Sequence, residues 1–345
     1  MSIKEIADLL LRAKEPEDVF EGNTKEEIKK SYRKLAKICH PDIVKENEKE
    51  LAGKLTIILN NLYKVAQEKI EKGIYNLKDI KEVYKKSEPL FSFKVKNKTY
   101  DIYECIKEED VSTIYEGLQN DELITLKIVN DESDNNLIEE EFKLLQELKH
   151  LGLPQVITKL KINGKNSIIL KKEAGLSFEE IIKEYKNIPE EHIFWILERL
   201  LSLIGYLHSQ KIVHGNIKPE NIIIDVENHN VKIMDYTLCI KNANELTSKY
   251  KIINDDYTPD YVSKDSIVIP HVDIYAVAKL AIELMGGDIR RNAMPLNVSL
   301  ELRTFIRKMI NYKENDAWKL WDELIELRNK RYGTTRFQKL ERKLK

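Results

Sequence analysis

The chain has 345 residues, 42% of them hydrophobic and 33% charged, with a formal net charge of −1. That length fits two domains with filled cores, and the near balance of charge excludes a global field for nucleic acid or membrane, leaving only local patches. Cys39, Cys105 and Cys239 form no Cys-x-x-Cys pair, which argues against a disulfide framework or zinc site and for a reducing compartment.

The opening residues carry charge without the apolar stretch of a signal sequence, and no apolar run is long enough to span a bilayer; a cytoplasmic location and no membrane span are expected. Residues 1–78 read as helix only. Thr24-Lys25-Glu26-Glu27 is a capping box. It opens a helix with Ile28, Tyr32, Leu35, Ala36 and Cys39 on one face and Lys29, Lys30, Arg33, Lys34 and Lys37 on the others. Pro41 ends it. A second helix turns Leu55, Ile58, Leu59, Leu62, Val65 and Ala66 inward, so the two make an αα-hairpin with a polar tip.

Residues 79–98 read as a linker, although 91–95 and 99–106 alternate with a period near two around Lys96-Asn97-Lys98, as a hairpin does. Beyond it come a strand at 123–129, an acidic helix at 134–149 and a buried strand at 167–170. Helices follow at 178–186, 190–209, 271–285, 299–311 and 315–331, interrupted by a hairpin of 222–225 with 231–234. Strands first and helices after is α+β order. Residues 333–345 form a basic tail that is either a solvated end or an arm for an acidic partner; nucleic acid is not expected, because few aromatics interleave with the charges.

His40-Pro41-Asp42 directly follows the basic helix, so proline leaves the two polar side chains on the loop. A plain helical hairpin with a solvated lysine face is the bland reading. The stretch from Glu15 to Tyr75 resembles the DnaJ-type J-domain. Glu17-Asp18-Val19-Phe20 falls in the first helix of that pattern, Glu27 to Asp42 in the second, and Asn60-Asn61-Leu62-Tyr63 in the third. The resemblance implies that His40, Pro41, Asp42, Lys29, Lys30, Arg33 and Lys34 contact a DnaK-type chaperone of the heat-shock 70 kDa class and stimulate its ATPase. Thr56 stands where the family usually has a core phenylalanine.

His214-Gly-Asn-Ile-Lys-Pro-Glu-Asn221 precedes a hairpin that leads into Asp235-Tyr236-Thr237. These segments resemble the catalytic loop and metal-binding segment of eukaryotic-type serine/threonine protein kinases. Lys127 on a strand, Glu141 on a helix and Asp273 in a later helix match in order, and the resemblance covers roughly 100–332. It implies a nucleotide site of Lys127, Glu141, Asn221 and Asp235, with Asn221 and Asp235 holding magnesium if ATP binds. The same residues also suit a purely structural polar core.

The departures from the family pattern concern chemistry. Asn216 stands where the family has the aspartate that accepts the substrate proton, a role worth about 10²–10⁴-fold. Gly215 replaces the preceding arginine, and Lys218 has lost the aspartate it serves. The phosphate-covering segment 106–115 has no glycine and carries Glu108, Glu109 and Asp110. Asp-Tyr-Thr replaces Asp-Phe-Gly.

The reading is therefore multidomain. An all-α J-domain at 1–78 precedes a linker at 79–98 and a bilobal α+β protein-kinase-like fold at 99–332, with lobes 99–171 and 172–332. The function expected is a co-chaperone adaptor whose degenerate catalytic loop, His214, Asn216 and Lys218, belongs to a pseudokinase that binds a client or partner. The alternatives are an atypical ATP-dependent serine/threonine kinase and an ATP-binding switch without transfer.

Overall fold

In this computed structural model the described residues are 3–13, 15–22, 24–41, 43–71, 75, 80–184, 188–225, 228–241, 255–265, 268–311 and 314–333. Asp42 and the tail from residue 334 lie outside them. The chain divides into two compact units between Pro89 and Leu90.

The first unit holds α1 (Ile3–Arg12), α2 (Lys25–Ile38), α3 (Lys49–Glu71) and a short α4 (Ile80–Lys85). Ile6 and Leu10 of α1, Ile28 and Leu35 of α2, and Leu55 and Leu59 of α3 share one core with Val19 and Phe20. Each buried aliphatic side chain there contributes about 1.5–3 kcal/mol. The capping box forms as expected: Glu27 N donates to Thr24 Oγ1 at 3.3 Å, and Thr24 N donates to Glu27 Oε2 at 3.1 Å. Tyr32 stacks on Tyr63 with ring centres 4.1 Å apart and donates to Asn60 Oδ1 at 2.7 Å.

Two expectations change in this unit. Glu17 and Asp18 lie in a 3₁₀ turn, Pro16–Asp18, rather than an α-helix. Pro16 restarts the chain after an extended Glu15, and Val19 and Phe20 drop at once into the core. The first helix is α1, upstream. Val65 is 40% exposed, because the inward stripe of α3 steps through Leu55, Leu59, Leu62 and Ala66 at helical spacing.

The second unit starts with β1 (Phe91–Val95), β2 (Lys98–Glu108), β3 (Ser112–Gln119), β4 (Glu122–Val129), α5 (Asn135–Glu147), β5 (Val156–Ile162) and β6 (Lys165–Lys171). Among the described residues these strands form a six-stranded antiparallel sheet in the order β1-β2-β3-β4-β6-β5. Three two-residue turns set its register: Lys96-Asn97, Asn120-Asp121 and Asn163-Gly164, all with positive φ. That is the primed geometry that matches strand twist. Residues 91–95, read from sequence as the end of a linker, are thus the edge strand of this sheet. Phe93 stacks on Tyr100 at 5.4 Å, and Phe91 meets Tyr115 edge-on at 5.5 Å, so aromatic burial draws the segment onto the fold.

The helical half follows: β7 (Leu176–Ser177), α6 (Phe178–Glu184), α7 (Glu190–Ser209), β8 (Ile212–Val213), β9 (Ile222–Asp225), β10 (Asn230–Ile233), β11 (Ile240–Lys241), α8 (Asp260–Asp265), α9 (His271–Leu284), α10 (Leu300–Asn311) and α11 (Ala317–Tyr332). Helices α7 and α9 are apolar almost all round and lie at the centre of a core that also takes in α5, α10 and α11. This core supports, at one end of β9 and β10, the loop 214–221 and the segment 235–237.

Candidate functional site

Strand β4 carries Lys127 into the interior, where it is 2% exposed. Its ammonium lies 2.8 Å from Glu141 Oε2 on α5 and 2.5 Å from Asp235 Oδ1. It also donates to Thr237 Oγ1 at 2.5 Å. Thr237 in turn donates toward Asp235 Oδ1 at 2.8 Å and Glu141 Oε2 at 3.0 Å. Glu141 Oε1 accepts the Tyr236 backbone N–H at 2.9 Å. Burial alone lowers the Lys127 pKa, but Asp235 and Glu141 outweigh it and hold the ammonium charged. Burial likewise raises the Asp235 carboxyl, yet the Lys127 charge and the bonds from Lys127 and Thr237 bring it well below the usual carboxylate range.

The loop beneath is held by Asp273 in the first turn of α9. Its carboxylate accepts His214 N at 2.8 Å and Gly215 N at 2.9 Å, and meets His208 Nε2 at 2.9 Å. Burial pushes this carboxyl up, and the His208 partner more than compensates, so it stays ionised. Gly215 has φ +73, a left-handed conformation that favours glycine. The arginine-to-glycine departure therefore has a backbone reason. His214 is fully buried and its Nε2–H donates to Met234 O, 3.1 Å away; desolvation depresses its pKa.

Asn216, 7% exposed, donates its amide Nδ2 to Asp235 Oδ2 at 2.7 Å. Asn221 Nδ2 donates to Asn216 O at 2.9 Å. Four of the expected residues, Lys127, Glu141, Asn216 and Asp235, thus meet in one network, with Asn221 and His214 supporting the loop. Asp235 itself has φ +59, a strained backbone for a non-glycine residue, of order 1–3 kcal/mol.

The turn after β2 and the loop 214–221 border a cleft of about 280 Å³ reached by Glu109, Asp110, Lys218, Glu220, Asp235 and Thr237. Its two lysines are paired. Lys107 lies 2.5 Å from Glu109 and 4.0 Å from Glu220, and Lys218 lies 3.0 Å from Glu220. Burial lowers the Lys218 pKa, and Glu220 raises it above its ordinary value. Glu108, Glu109 and Asp110 do line the cleft, as the sequence suggests.

Asp235 and Asn221 are the residues that would hold a magnesium ion, and most of the acceptor sites on Asp235 are already taken. A carboxylate has about four lone-pair sites. On Asp235, Lys127 and Thr237 occupy Oδ1 and the Asn216 amide takes one side of Oδ2. The other side of Oδ2 is left for an octahedral ion at about 2.0–2.1 Å, so Asp235 would offer it one oxygen rather than a bidentate carboxylate.

In the first unit Lys29, Lys30, Arg33, Lys34 and His40 are exposed and Pro41 is half-buried. The basic face of α2 and the loop after it therefore stand at the surface; Asp42 lies outside the described residues. Sequence reasoning noted three substituted residues but gave their hydroxyls no role. Thr237 sits inside the Lys127–Glu141–Asp235 cluster, the buried Tyr236 hydroxyl has no hydrogen-bond partner among the described residues, and Thr56 donates toward Cys39 O at 3.1 Å and Ala52 O at 2.9 Å. Each replaces an apolar or glycine residue of the family pattern, and that gain of a donor was the available signal.

A family model described as the protein kinase domain matches residues 100–342, and one described as the DnaJ domain matches residues 18–76. The chain is 25% identical over 204 residues to a probable serine/threonine-protein kinase of Dictyostelium discoideum, covering 56% of this chain and 40% of that protein. It is 27% identical over 196 residues to cyclin-dependent kinase-like 1 of Caenorhabditis elegans, covering 55% of each. It is 29% identical over 144 residues to serine/threonine-protein kinase RUNKEL of Arabidopsis thaliana, covering 41% of this chain and 10% of that protein. The chain spans about half or less of the length of these curated relatives.

Proposed function

The chain belongs to the protein kinase domain family and carries a DnaJ domain ahead of that fold, and on that premise we propose that it is a cytoplasmic co-chaperone-type adaptor. The J-domain engages a DnaK-type chaperone through the basic face of α2 and the His40-Pro41-Asp42 loop. Opposite charge steers the approach of the partner's acidic surface, which raises the association rate more than the affinity. The kinase fold binds a client or partner and does not transfer phosphate.

One observation carries the second half of this reading. Asn216, at the position of the catalytic base, spends its amide on Asp235 Oδ2 at 2.7 Å. An amide takes no proton from a substrate hydroxyl, and here it caps the carboxylate that the family uses for metal. Lys127 pairs with Glu141 and Asp235 at once, leaving the cluster one net negative charge, and the retained residues act as a polar core that joins β4, α5 and the 235–237 segment.

The test combines two assays on the purified full chain. Added to a DnaK-type chaperone with ATP, the wild type is expected to accelerate steady-state ATP hydrolysis, and His40→Gln to abolish that acceleration. Incubated with labelled ATP, magnesium and generic protein substrates, it is expected to transfer no phosphate above the level of Asp235→Asn. Transfer lost in Asp235→Asn would instead establish the atypical-kinase reading.

A further inference from the structure

The last carbonyls of an α-helix have no partner within the helix and need one elsewhere. At the end of α2 the carbonyl of Cys39 is such a group. Cys39 is fully buried, its own N–H returns to Leu35 O, and Pro41, two residues on, has no N–H to offer. Among the described residues the donor to Cys39 O is the Thr56 hydroxyl on α3, at 3.1 Å. The same hydroxyl reaches Ala52 O at 2.9 Å, so one proton is shared between two carbonyls. The next residue after the tethered carbonyl is the exposed His40, whose own carbonyl accepts Ile43 N at 3.0 Å. The tip therefore hangs from a short turn anchored on one side by Thr56.

We propose that Thr56 is a positioning residue for the His40-Pro41-Asp42 tip: its hydroxyl fixes the end of α2 against α3 and so sets the direction in which His40 meets a DnaK-type chaperone. The inference rests on the co-chaperone reading above and adds a residue to it. Without the hydroxyl the buried Cys39 carbonyl is unsatisfied, and an unsatisfied buried acceptor is relieved by moving the chain that bears it. The basic face of α2 lies on the other side of the helix, so docking is expected to survive while productive presentation of the tip does not.

The experiment measures stimulation of a purified DnaK-type chaperone's ATPase by the full chain, titrated to saturation at a temperature where circular dichroism shows every variant folded. Thr56→Val keeps the shape and removes the donor. Its maximal stimulation is expected to fall about tenfold, equivalent to about 1.4 kcal/mol, with the half-saturating concentration within about twofold of wild type. Thr56→Ser keeps the donor and is expected to restore stimulation; Thr56→Ala is expected to match Thr56→Val. Equal stimulation by wild type and Thr56→Val overturns the inference, as does a Thr56→Ser variant that fails like Thr56→Val. Unfolding of both Val and Ala variants at the lowest working temperature also overturns it, because the hydroxyl is then needed for the fold itself. A wild type that gives no stimulation, indistinguishable from His40→Gln, overturns the co-chaperone reading together with it.

Discussion

Replacing Asn216 by aspartate returns the family's base to the loop, and the geometry says that the change damages the fold instead of reviving chemistry. Asn216 Nδ2 and Asp235 Oδ2 are 2.7 Å apart. Two ionised carboxylates at that separation repel by about 6 kcal/mol at an effective dielectric near 20. A proton taken up by the new residue is cheaper. Asp235 is held ionised by Lys127, so the new aspartate is the one to protonate. Raising a carboxyl pKa from about 4 to 7 costs about 4 kcal/mol at pH 7. The protonated acid then donates the bond the amide used to donate. The penalty falls by about 1.4 kcal/mol per pH unit, to about 1 kcal/mol at pH 5. Urea unfolding of Asn216→Asp and wild type, with chelator present to exclude divalent cations, measures the gap at both pH values. A gap near zero at pH 7, or one that does not narrow at pH 5, would refute the reasoning. So would a gain of about 10²-fold or more in phosphotransfer, the worth of a working base.

Tyr236 is 1% exposed and its hydroxyl has no partner among the described residues; Tyr236→Phe is expected to raise stability by about 1–3 kcal/mol in the same urea assay, and a loss of stability would show that the hydroxyl has a role. Two histidines, His214 and His150, have pKa values depressed by burial. The unfolded chain takes up protons near pH 6.5 where the folded chain does not, so stability falls as pH drops below that value, by up to about 1.4 kcal/mol per pH unit per histidine. Asp235 and Asp273, both depressed, hold their contribution above about pH 4 and lose it below. Wild-type unfolding that is flat or strengthening from pH 7.5 to 5.5 would overturn the histidine assignment.

Local signals were legible in the sequence where they depend on neighbours along the chain. The capping box at Thr24, the apolar stripes of α2, α7 and α9, and the β9–β10 hairpin all follow from periodicity and short-range bonding. Lys127 and Glu141 were identifiable through the resemblance to protein kinases, which placed them on a strand and a helix in the family's order. Strand β5 was missed although Asn163-Gly164 is a strong two-residue turn signal, whereas the β1–β2 hairpin was legible from its alternation even though the linker boundary was drawn past it. Contacts between distant residues were not legible. Thr237 reaches Lys127 across 110 positions and Asn216 reaches Asp235 across 19. Nothing local indicates that an asparagine in the loop will spend its amide on that carboxylate. Val65 misled for a related reason: at the edge of a helical stripe, a single step of about 100° separates core from solvent.

The turn at Lys96-Asn97 also determines where the kinase fold can be cut free. Strand β1 covers the outer rim of β2, and Leu90 N donates to Ile102 O at 2.7 Å. A fragment beginning at residue 99 would bare the backbone of what remains of an 11-residue strand, along with the Tyr100 ring that Phe93 now covers. An unpaired strand edge of that kind can recruit a strand from another molecule. Starting the fragment ahead of Leu90 keeps the rim paired and Tyr100 covered.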